Sequence, residues 1–195
     1  MEKSELTPEQ SLLLISKTIE DTKERFKEHG GIFIFWGSLT VLVFGSQLIF
    51  SLLELYQFTM LPIYLFPLGA ILTGLYVWRE YRRHNIPRTI IGNVLQNIGW
   101  VVGMNLMIMG FLFSDVLGDA MGPVFIILLA LMIIVSGLSI RFKPLTIGGA
   151  LANLIGLGSF FFERDYHGIS LMVAAVVGMI IPGIMLNIAR RKTDV

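Results

Sequence analysis

The sequence predicts an all-α fold, a polytopic membrane bundle of six transmembrane helices preceded by a cytoplasmic amphipathic helix. Three observations carry that prediction. The 195-residue chain is 54% hydrophobic and 15% charged, with a mean hydropathy of +0.74, which sets it apart from ordinary soluble domains. Its apolar residues gather into six runs long enough, at ~1.5 Å per helical residue, to cross a ~30 Å hydrocarbon layer. Its basic residues fall on alternate loops, as insertion with one side positive requires.

Residues 1–29 form the cytoplasmic arm, 30–190 the six-helix domain and 191–195 a cytoplasmic tail. In the arm, Thr7-Pro8-Glu9-Gln10 is a strong helix start: threonine as N-cap, proline at the first helical position and glutamine at the capping-box position. Leu12, Ile15, Ile19, Thr22 and Phe26 then recur at spacings of three and four, making one apolar stripe opposite a charged face. Acids outnumber bases in this arm, whereas a helix built for anionic lipid would be markedly basic. Two readings stand: a helix lying under the bundle or at the interface, or one that binds a cytoplasmic protein partner or self-associates through Leu12, Ile15, Ile19 and Phe26. No cleavable secretion signal is expected, because this stretch lacks a short apolar core.

The spans are placed at about 31–53, 61–78, 89–113, 122–140, 145–162 and 168–189. Arg79, Arg82, Arg83 and Arg88 follow span two, Arg141 and Lys143 follow span four, and Arg190, Arg191 and Lys192 follow span six. With the bases of the arm, every Lys and Arg of the 15 except Arg164 falls on one side. Glu54, Asp115, Asp119, Glu163 and Asp165 mark the other. Both termini are therefore expected in the cytoplasm.

Span three is expected at the centre of the bundle. On a helical wheel Gly92, Gly99, Gly103 and Gly110 fall within about 40° of one another, a seam that lets a neighbour approach closely. Gln96 lies beside that line, with Asn93, Asn97 and Asn105 further round. With Asn153 of span five, these amides read either as interhelical hydrogen-bonding groups or as a polar lining for a solute path. Gly149 and Gly156 are expected to pack span five. Gly30 and Gly37, Gly92 and Gly99, and Gly149 and Gly156 are each seven apart, near the starts of the odd spans. Thr73-Gly74-Leu75, Ser136-Gly137-Leu138 and Pro182-Gly183-Ile184 recur near the ends of the even ones. The pattern indicates three related hairpins inserted the same way. Pro67 and Pro182, within spans two and six, are expected to kink their helices and free a carbonyl that a neighbour must satisfy.

The span interiors contain no Asp, Glu, Lys, Arg or His, which argues against ion-coupled carriers and against haem held by intramembrane histidines. There is no cysteine, GxSxG elbow, HExxH helix or phosphate-binding glycine loop. No catalytic residue, cofactor or metal site is assigned. The five outer carboxylates with His167, chiefly Glu163, Asp165 and Asp115, supply oxygen and imidazole groups for a cation, and Asp115, Glu163 and His167 could act on lipid, but the spacing matches no established motif. Arg82-Arg83-His84 and Arg190-Arg191-Lys192 are too short for nucleic-acid binding and fit contact with lipid headgroups.

The arm's opening LTPEQSLLLISKTIEDTK and the overall layout resemble the small, uncharacterised multi-pass inner-membrane proteins of bacteria, in which a short capped helix precedes six packed spans. That resemblance implies a location in the bacterial inner membrane and carries over no catalytic residue. The sequence thus predicts a non-enzymatic membrane protein, regulatory or scaffolding, that engages a partner through its N-terminal helix. The alternative is a small carrier or channel-like protein passing a neutral or amphipathic solute along an asparagine-lined path.

Overall fold

The computed structural model describes Thr7, Glu9, residues 12–13, 30–84 and 90–191, and side-chain surroundings within these except at 80–84, 90–94 and 190–191. The described chain is helical and contains six helices long and apolar enough to cross a membrane. Their main α-helical segments are α1 (Gly30–Leu52), α2 (Leu65–His84), α3 (Ile90–Leu112), α4 (Met121–Ser139), α5 (Lys143–Gly158, its span continuing to Phe161) and a composite sixth. The sixth runs through α6 (Arg164–Ala175), a π-helical turn (Val176–Ile180) and α7 (Ile181–Arg191). Most of the arm, including Ile15, Ile19 and Phe26, lies outside the described residues, while Leu12 is helical and exposed.

Several boundaries have local causes. Pro67 stands in the first turn of α2, directly after the 3₁₀ turn Leu61–Tyr64, where a missing N–H disturbs little, so the kink expected of it is not needed. α4 ends in a Schellman motif: Phe142 N donates to Gly137 O at 2.9 Å and Arg141 N to Leu138 O at 3.2 Å. The left-handed position at its centre is Arg141, with φ 54°. α1 ends the same way, with Leu55 N on Phe50 O at 2.8 Å, Glu54 N on Ser51 O at 3.1 Å and Glu54 at φ 56°. Glycine is the usual residue there because a Cβ crowds the carbonyl. Glu54→Gly should therefore stabilise the fold by on the order of 1 kcal/mol, a gain in thermal stability measurable in detergent.

Two buried clusters build the core. Ile126 and Ala130 of α4 meet Ala152 of α5 and Leu171 and Ala174 of α6, with Phe44 of α1 packed against them. Ile133 of α4, Leu145 of α5 and Met179 of the π turn form the second, closed by Phe33 and Trp36 of α1. α1, α4, α5 and the composite helix are thus the packed body of the molecule, and the composite helix is its centre.

Glycines set the separations within that body. A Cβ on Gly149 would lie 2.8 Å from Ile134 Cγ1, and one on Gly156 would lie 2.9 Å from Ile127 Cγ1, so α5 seats directly on α4. A Cβ on Gly37 would lie 2.7 Å from Ile180 Cγ1, seating α1 on the π turn. The recurring glycines of the even spans each face an odd span. Gly183 looks onto Gly30 O and Ile34, Gly137 onto Thr146 and Leu145, and Gly74 onto Trp100. The first two approaches are tight, with backbone or short side chains opposite. In the third an indole stands between α2 and α3 and holds them apart.

Span three therefore does not occupy the centre. None of its membrane-spanning window is buried, against half of the window in the composite helix. Gly110 meets Phe125 and Met121 of α4, but a Cβ on Gly99 or Gly103 would touch nothing within 4 Å. A glycine seam brings helices together only where the facing residues fit it, and Trp100 against Gly74 prevents that fit here.

Candidate functional site

The two expected sites, an amide lining and an outer acidic cluster, resolve differently. On the α4 wheel, Met121 and Phe125, which meet α3, lie about 150° from the isoleucines that meet α5. α4 consequently stands between α3 and α5, and Asn153 is separated from the amides of α3. Asn153 is half-buried on the arc of Gly149 and Gly156. Gln96 is half-buried on α3, whereas Asn97 and Asn105 are exposed. The Asn105 Nδ2 donates to Val101 O of its own helix at 2.8 Å. Gly92 and Asn93 lie in α3, but their side-chain surroundings fall outside the described residues. The described amides are thus not gathered around one path.

The centre of the bundle is apolar. A gap of about 10 Å³, lined by Thr40, Ile126, Ala130, Ile133, Ala152 and Met179 among others, has room for at most about one water molecule. Its hydroxyl, that of Thr40, donates to Trp36 O at 2.9 Å.

The composite helix holds what sequence reading of its proline anticipated only in outline. Ile181 N donates five residues back to Val176 O, and Pro182 has no N–H. Val177 O therefore receives no donor from its own helix. Gly148 of α5 lies against it: a Cβ there would sit 2.7 Å from Val177 O and 2.7 Å from Pro182 Cγ. The glycine thus brings its Cα–H to the freed oxygen, a weak donor that still offsets part of the desolvation. Gly148, adjacent to the recognised Gly149, was not singled out from the sequence. Its signal was its pairing with the proline of another span.

At the acidic end His167 is buried, with only 7% of its surface exposed. Its Nε2 lies 3.1 Å from Ser159 O and 3.1 Å from Phe162 O, so as the N–H donor it holds the turn that joins α5 to α6. Its Cβ faces Gly122, where an added Cβ would come within 2.7 Å. Ser159, fully buried, donates to Gly156 O at 2.7 Å. Asp115, Asp119, Glu163, Arg164 and Asp165 remain exposed around this plug, and Arg164 lies 4.0 Å from Asp119. Such a solvent-exposed pair contributes little to stability. Among the described residues, no three of His, Asp and Glu gather closely enough to hold a metal ion. His167, grouped with Asp115 and Glu163 on sequence grounds, has its ring turned inward onto backbone carbonyls.

Compared with family models, curated proteins and solved structures, the chain matches none of them.

Proposed function

We propose that this chain is a multi-pass protein of the cell membrane, in bacteria the inner membrane, with both termini cytoplasmic. Its bundle serves as an anchor and its N-terminal amphipathic helix engages a cytoplasmic protein partner. The observation that carries this reading is the core itself. Among the described residues, Ile126, Ala130, Ile133, Leu145, Ala152 and Met179 pack around glycine contacts where a solute path would run, and the gap beside Thr40 has a volume of about 10 Å³. A path lined by asparagines has less support, since α4 intervenes between Asn153 and α3. The described part of the arm presents Leu12 and Leu13 with about two thirds of their surface exposed, 67% and 71%. Apolar residues held that way fit one face of a helix-in-groove contact.

The test uses the full chain with Leu12, Ile15 and Ile19 replaced together by aspartate. Crosslinking from native membranes should recover a soluble protein with wild type and lose it with the variant, at equal insertion and thermal stability. Recovery of the same proteins from both would assign the arm a purely structural part. The positions of the termini are checked with reporters fused at either end.

A further inference from the structure

We propose that α3 carries a homodimer interface, in which the ridge Asn97–Val101–Asn105 packs against the same ridge of a second copy. The inference rests on reading α3 as a membrane span and goes beyond the partner assigned to the arm.

The starting point is what five hydroxyl side chains of the spans do. Thr40, Ser46, Ser136, Ser139 and Ser170 each donate to the carbonyl four residues earlier, at 2.6–3.1 Å. A hydroxyl has one proton, and that bond uses it. An amide has two donors and an acceptor. Asn105 places one N–H on Val101 O, and its side chain remains on the exposed surface. Asn97 is exposed as well. Both lie about 6 Å along the axis from Val101, the midpoint of α3, and so well within a ~30 Å hydrocarbon layer. Polar amides facing lipid at that depth are costly unless another polypeptide supplies partners.

The occupant follows from the chemistry. An amide is complementary to itself, offering both a donor and an acceptor. Two copies inserted in the same orientation bring each asparagine to the same depth as its counterpart, so a twofold axis along the membrane normal pairs Asn97 with Asn97 and Asn105 with Asn105. The spacing also sets the geometry. Residues 97, 101 and 105 form a ridge of every fourth residue, and two helices packed along such ridges cross at about −40° to −50° with the smallest separation at the middle residue. That residue is Val101, short and 60% exposed. Trp100 lies to one side of the ridge, engaged with Gly74, so that contact is not disturbed by a partner on this face.

The chain has no cysteine, which makes single introduced thiols unambiguous. Val101→Cys in the full chain, reconstituted at high dilution in phospholipid vesicles, should form a disulfide-linked dimer on mild oxidation. Leu154→Cys, on the 65% exposed surface of α5, should not. Adding Asn97→Leu and Asn105→Leu to the Val101→Cys chain should lower the crosslinked fraction about tenfold. Thermal stability of the monomer in detergent should stay unchanged, because both side chains are exposed. Crosslinking no greater at Val101 than at Leu154, or a yield indifferent to loss of both amides, would overturn the proposal. Resistance of the reconstituted chain to alkaline extraction reports separately on whether α3 spans the bilayer.

Discussion

Gly148→Ala is expected to lower the thermal midpoint in detergent by roughly 5–10 °C, whereas Gly103→Ala leaves it within about 1 °C. The contrast isolates packing from helix propensity, which favours alanine at both positions. At Gly148 the new methyl would meet Val177 O and Pro182 Cγ, each at 2.7 Å. Neither atom can turn away, since one is backbone and the other belongs to a proline ring. α5 must therefore withdraw from the composite helix, which moves Gly148 off the freed carbonyl and opens the cluster of Ile133, Leu145 and Met179. At Gly103 the methyl would meet nothing within 4 Å. Equal stability of the two variants would show that α5 and the π turn do not approach as described.

That pair of substitutions also marks where the sequence could be read and where it could not. Six helices and their approximate ends follow from hydropathy, because each span must be apolar whatever its neighbours are. The proline of the sixth span was legible for the same kind of reason: a missing N–H is a local fact, and a freed carbonyl follows from it. The neighbour that covers that carbonyl is not local. Which helix stands at the centre depends on what each glycine faces. Gly149 and Gly156 face isoleucines, whereas Gly99 and Gly103 of α3 face nothing within 4 Å and the indole of Trp100 stands against Gly74. The wheel of α3, taken alone, is indistinguishable from that of a central helix. A better sign was the sixth span, where Ala174, Ala175, Gly178, Pro182 and Gly183 place small residues on more than one face, a composition that admits neighbours on several sides. Glu54 and Arg141 were read only as loop charges, and their left-handed backbone was not anticipated, because no glycine announces those helix ends.

His167→Leu should cost about 2–3 kcal/mol, although the replacement keeps most of the buried volume. The ring occupies a closed position between Gly122 and the turn after α5, and its Nε2 reaches two carbonyls at 3.1 Å each. Leucine fills the space and leaves Ser159 O and Phe162 O without that donor, so the loss reflects hydrogen bonding more than cavity formation. His167→Gln tests this directly, since its amide N–H can reach toward the same oxygens and should restore part of the lost stability. Protease sensitivity gives a second readout. Release of the turn frees the stretch from Ser159 to Glu163, and cleavage from the acidic side should rise in the leucine variant and less in the glutamine one. A leucine variant as stable and as resistant as wild type would mean that the turn is held by the packing of Ser159 and α4 alone. His167 would then be a space-filling residue.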